Sequence, residues 1–176
     1  EEAHARGLGV MLHMPMEPVE AKEPLFPQTI LTTTPDADIE RFLKEALASV
    51  PYAEGVNNHT GSAATADARV MRLVLNSLKT KKLFFMDSEV TPKTVGPRIA
   101  RELRVRFTKR DVFIDNELKP ELIKRQLEEA KRIALKTGEV VVVGHDQRLT
   151  LRMIKEAIPK FEQEGIRFVL VRDLLE

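Results

Sequence analysis

Short apolar runs alternate with amphipathic stretches along the whole chain. Leu8-Gly9-Val10-Met11-Leu12 predicts a buried strand, and a connection through Pro15, Pro18, Pro24 and Pro27 follows it. Thr34-Pro35-Asp36 predicts a helix start, with Thr34 as the cap, a proline in the first turn and an acid near the positive end of the dipole. Ile39, Phe42, Leu43, Ala46, Leu47 and Val50 then recur at helical spacing. Gly55 to His59 reads as a short strand running into a polar loop. A helix over about 66–78 carries Val70, Met71, Val74 and Leu78 on one face. Leu83 to Met86 predicts the third strand, and Thr91-Pro92 repeats the cap-and-proline start ahead of Val95, Ile99 and Leu103. Val112 to Ile114 is a fourth strand, and a helix over about 119–136 is closed by Gly138. Val140 to Val143, a helix over about 149–164 expected to kink or break at Pro159, and a final strand Ile166 to Val171 complete the pattern.

Strands alternating with helices on this scale imply parallel pairing with right-handed crossovers, and the continuous apolar strands agree with coverage on both faces. The choice lies between an open doubly wound sheet and a (β/α) barrel. No G-x-G-x-x-G follows the first strand, which removes the simplest dinucleotide-binding reading.

Composition narrows the classes. Lys plus Arg is 28 against 27 for Asp plus Glu, so the basic excess of a nucleic-acid binder is missing. No apolar run is long enough for a membrane span, and 43% hydrophobic residues is too many for a disordered chain. With no cysteine, disulfides, thiolate metal sites and cysteine nucleophiles are excluded. One domain, 1–176, is expected. Its opening, Glu1-Glu2-Ala3-His4-Ala5-Arg6-Gly7, reads as the end of a helix closed by glycine and carries no signal peptide, so further chain is expected upstream.

The chemistry clusters at strand ends. His13, Asn57-Asn58-His59, Asp87, Asp115-Asn116 and Gly144-His145 each follow a predicted strand. In a parallel barrel those ends share the rim where active sites sit. Polar residues at any one strand end are cheap, but three of the four histidines fall in this set. Histidines on a rim suit a metal or general acid–base work. The spacing contains no H-E-x-x-H, so a metal site would be assembled from distant segments. Ser62 lacks the G-x-S-x-G frame of a nucleophile elbow. Met11, Met14 and Met16 read as packing residues, and Lys79, Lys81 and Lys82 as a solvated helix end.

His13-Met14-Pro15-Met16-Glu17-Pro18, Gly55-Val56-Asn57-Asn58-His59-Thr60-Gly61-Ser62, Phe84-Phe85-Met86-Asp87-Ser88 and Arg110-Asp111-Val112-Phe113-Ile114-Asp115-Asn116 occur in that order, before Gly144-His145 and Gly165-Ile166. Together they resemble the divergent polysaccharide deacetylase family, over essentially the whole chain from His13. The resemblance implies a distorted (β/α) barrel of the deacetylase type and an extracytoplasmic protein of the periplasm or envelope. It implies hydrolysis of acetyl groups on envelope glycan with a divalent metal, usually zinc. By position it assigns metal binding to His13 and His59 and protonation of the leaving amine to His145. Family members begin with a strand ending in an Asp-Asp pair, then a second strand. Neither occurs here, so the chain is expected to lack the first one or two strands, and a missing segment is expected to complete the barrel. In the family an Asp and two His hold the metal, and the missing acids would supply that carboxylate and the general base; failing an upstream Asp, the base would be Asp115 or Asp87. Glu17, Asn57 and Asn58 would orient ligands or bind sugar hydroxyls. Thr60 stands where the family pattern has an apolar residue, often Met, and Asp146 where it has Pro.

Three functions stay open at this point. One is a metal-dependent deacetylase-like hydrolase. Another is a catalytically inactive envelope barrel that binds carbohydrate or protein. The third is a barrel enzyme using His and Asp without metal. One Tyr and no Trp argue weakly against a sugar-stacking surface.

Overall fold

A computed structural model describes residues 1–175. The chain divides into two compact units, Glu1–Lys109 and Arg110–Leu174.

The first unit holds the helical turn α1 (Glu2–Ala5), then β1 (Met11–Met16), α2 (Asp36–Ser49), β2 (Gly55–Thr60), α3 (Ala68–Thr80), β3 (Phe84–Asp87), α4 (Gly96–Leu103) and β4 (Phe107–Lys109). All its strand pairs are parallel, in the order β1-β2-β3-β4. Successive parallel neighbours need a crossover, and α2, α3 and α4 supply one each. Leu12, Met14 and Met16 of β1 pack with Val56, Phe85, Ile39, Leu43 and the buried stripe of α3 (Val70, Met71, Val74, Leu75, Leu78). Arg72 of α3 and Arg98 of α4 both donate to Glu102, holding its carboxyl below the usual carboxylate range.

The second unit holds β5 (Val112–Phe113), α5 (Pro120–Thr137), β6 (Val142–Val143) and α6 (Arg148–Gln163). β5 and β6 pair in parallel, and Val112, Ile114, Ile123, Leu127, Ala130 and Phe161 form a separate core.

The α/β class with parallel strands and helical crossovers is therefore observed, as the pattern predicts. Several boundaries differ. The first strand begins at Met11 and runs on to Met16, because its backbone pairs with β2 along its full length despite Pro15 within it. β4 is absent from the expectations because its residues, Phe107-Thr108-Lys109, form no apolar run. Ile166 to Val171 is not a strand. Among the described residues this segment has no sheet partner, Phe168 and Val169 are exposed, and Val171–Leu174 turns into a 3-10 helix. Thr34 does not cap α2, since its hydroxyl accepts from Leu31 N, within its own turn. Asp67 does cap α3, accepting from Val70 N. The helix expected from Thr91-Pro92 begins only at Gly96. Pro159 lies inside α6 without ending it.

Candidate functional site

Strand parity decides which side chains reach which face. In β1 the core takes Leu12, Met14 and Met16, so His13 and Pro15 point the other way. Residues paired across parallel strands share a face. His13 pairs with Asn57 and Pro15 with His59, which puts Asn57 and His59 beside His13. The rings meet accordingly. His13 Nδ1 lies 2.6 Å from Asn57 Oδ1, and His13 Nε2 lies 3.1 Å from His59 Nδ1. The two imidazoles stand edge to face, with centroids 5.0 Å apart, and Phe26 from the Pro-rich segment packs edge-on against His59 at 5.5 Å. A cleft of about 530 Å³ opens beside His59, with Pro15, Pro18, Leu25, Phe26 and Val90 among its walls.

Parity sends other expected site residues elsewhere. Asn58 pairs with Met14 and is fully buried on the helix-covered face. Its side chain donates to Thr60 O and accepts from Ser88 N. Asp87 shares that face and is fully buried. One of its oxygens accepts from Glu89 N and the other from Thr94 Oγ1, which clamps the turn leading to α4. Glu17 accepts from Thr32 N and ties the Pro-rich connection to the end of β1. These three side chains hold structure together where the resemblance suggests ligand binding or base chemistry.

In the second unit, Asp115 and His145 follow β5 and β6. Asp115 is covered completely, while the His145 side chain is 61% exposed. Both Asp115 oxygens accept from His145 N (3.1 and 2.9 Å), Oδ1 also meets His145 Nδ1 at 3.1 Å, and Oδ2 accepts from Thr150 Oγ1 at 2.7 Å. A carboxylate engaged in this way orients the imidazole and leaves Nε2 turned outward, an arrangement suited to moving a proton at that atom. Phe113 supports the ring edge-on at 5.2 Å.

Sequence reasoning singles out His13, His59, Asn57, Asp115 and His145, and the structure groups the first three in one cluster and the last two in another. It passes over Ser88, Phe26 and Thr150. Ser88 lies inside a quoted motif, but a serine after a strand carries no distinctive signal. Thr150 and Phe26 are placed only by tertiary packing.

A family model described as divergent polysaccharide deacetylase matches residues 1–175. The chain belongs to the divergent polysaccharide deacetylase family. Relatives in this family range include the uncharacterized protein YibQ of Escherichia coli K12, 33% identical over 157 residues, which are 89% of this chain and 49% of YibQ. An uncharacterized protein of Haemophilus influenzae Rd is 32% identical over 164 residues, 93% of this chain and 58% of that protein. The chain thus spans about half the length of the curated relatives it matches. The crystal structure of the uncharacterized protein ATU2773 from Agrobacterium tumefaciens C58 superposes with a TM-score of 0.94 at 24% identity, covering 98% of this chain and 71% of that one. This likeness shows the shared α/β fold of the divergent deacetylase chain, with which a barrel is compatible.

Proposed function

We propose that the protein is a metal-dependent deacetylase-like hydrolase acting on acetylated glycan of the cell envelope, in an extracytoplasmic compartment. The observation that carries this reading is the pair His13 Nε2 and His59 Nδ1. Two imidazole nitrogens brought within 3.1 Å by neighbouring strands fit two donors to one divalent ion, zinc first among them. Among the described residues no third His, Cys, Asp or Glu joins them, so the pair would be two ligands of a larger set. A metal held there would polarise the acetyl carbonyl and lower the pKa of water. In the hydrolysis, the acyl carbon gains the water oxygen, the carbon–nitrogen bond breaks, and the amine nitrogen takes a proton. Within the second unit Asp115 holds the His145 ring, and the family resemblance gives His145 the role of proton donor. The cleft beside His59 holds the acyl-sugar, its apolar walls suited to the carbon face of a ring.

The test is zinc titration by calorimetry, followed by acetate release from N-acetylated oligosaccharides. His59→Ala and His13→Ala should each abolish stoichiometric zinc binding, and His145→Ala should leave zinc binding intact while slowing acetate release by 10²-fold or more, on the order expected for a lost general acid. Unchanged zinc content in His59→Ala would remove the metal role.

A second reading is a non-catalytic glycan- or protein-binding member of the family. What favours it is that Asp87 and Asp115, the acids expected as base, are both buried with both oxygens hydrogen-bonded. Saturable binding of an envelope oligosaccharide with no acetate released, zinc present, would select this reading.

A further inference from the structure

The hydrogen bonds around Asn57 determine where the protons of His13 sit. One end of the Asn57 amide faces His13 Nδ1 at 2.6 Å, and the other faces Met86 O at 2.8 Å and Ser88 Oγ at 2.7 Å. The Met86 carbonyl has no proton to give. Ser88 Oγ donates its single proton to Asn58 O, 2.8 Å away. Both neighbours at that end are acceptors, so the amide places its NH2 there. The end facing His13 is then the oxygen, which only accepts. His13 Nδ1 must carry hydrogen, and in the neutral ring Nε2 keeps its lone pair. Nε2 is the atom turned toward His59 Nδ1. Asn57 and Ser88 are 7% and 8% exposed, so the amide is largely shielded from water.

We propose that Asn57, anchored by Met86 O and Ser88, is a positioning residue that locks His13 in the Nδ1–H tautomer and makes Nε2, which faces His59 Nδ1, the lone-pair atom for metal ligation. The purpose of this device rests on the metal-site reading above; the tautomer itself does not. Histidine in water favours the opposite neutral tautomer, so the protein has to enforce this one. An outer hydrogen bond of this kind fixes ring orientation and ligand basicity, and its loss typically lowers metal affinity 10- to 100-fold.

The experiment is long-range 1H–15N NMR of the imidazoles in the metal-free chain at a pH where they are neutral, with His13→Asn assigning the signals. The expected spectrum shows a protonated-type Nδ1 and a lone-pair-type Nε2 for His13. Asn57→Leu should shift His13 toward the Nε2–H form and weaken zinc binding about 10- to 100-fold. An Nε2–H His13 in the unmodified protein overturns the proposal, whether or not the variants fold. So does an unchanged His13 in a folded Asn57→Leu. If the predicted tautomer is seen but zinc leaves the His13 and His59 signals unmoved, the proton assignment stands and the metal reading falls.

Discussion

Asp115 accepts from His145 N, His145 Nδ1 and Thr150 Oγ1 with its side chain wholly covered. A buried carboxylate is tolerated only when its lone pairs are occupied, and the Thr150 hydroxyl is one of the few donors that can reach Oδ2. Thr150→Val keeps the shape and removes that donor. It should lower stability by about 1.5–3 kcal/mol, the range for hydrogen bonds to charged groups, read as a lower urea midpoint at unchanged slope. At this scale the sequence is a good guide to chemistry and a poor guide to direction. Asn57 and Asn58 are adjacent and identical in type, yet one meets His13 and the other is enclosed on the helix side. A strand alternates its side chains, so a single step along β2 decides between site and core. Nothing in the pair itself reveals which residue the core takes. The answer comes from the register with β1.

Elements are set by packing as much as by local preference. Gly55 opens β2 opposite Phe84, and a Cβ there would come 2.5 Å from the Phe84 ring. That ring is fully buried, so it cannot swing aside into solvent. Gly55→Ala should therefore destabilise the chain by about 1–3 kcal/mol through overpacking, measurable as a lower thermal midpoint. α6 shows the opposite balance. Pro159 removes one backbone hydrogen bond, yet the helix continues to Gln163, because Phe161 beyond the proline is buried in the second core. Helices α2, α3 and α5 were legible to within about two residues, since their apolar stripes are long and periodic. β4 and the segment after Gly165 were not. A three-residue strand has too little pattern to detect, and Ile166 to Val171 has strand composition without a partner strand among the described residues.

Each unit carries its own core, one centred on β1, β2, β3 and α3, the other on Ile123, Leu127 and Phe161. Leu75 and Ile123 are both 0% exposed. Leu75→Ala and Ile123→Ala should each cost about 2–5 kcal/mol in the unit that contains it. Hydrogen exchange of backbone amides followed in each unit checks this, with accelerated exchange expected in the unit that carries the substitution. Sequence alone determined the α/β class, the order of its major elements and the family, because periodicity and ordered motifs are properties of the chain itself; His13, Asn57 and His59, expected at strand ends, lie inside β1 and β2. Tertiary structure alone decided that His13, Asn57 and His59 meet while Asn58 and Asp87 turn away, that Asp115 holds His145, and that the last apolar run stays out of the sheet. Those outcomes depend on register, on which face the helices cover, and on which backbone groups find partners. Such relations join residues far apart in the chain, and local pattern cannot carry them.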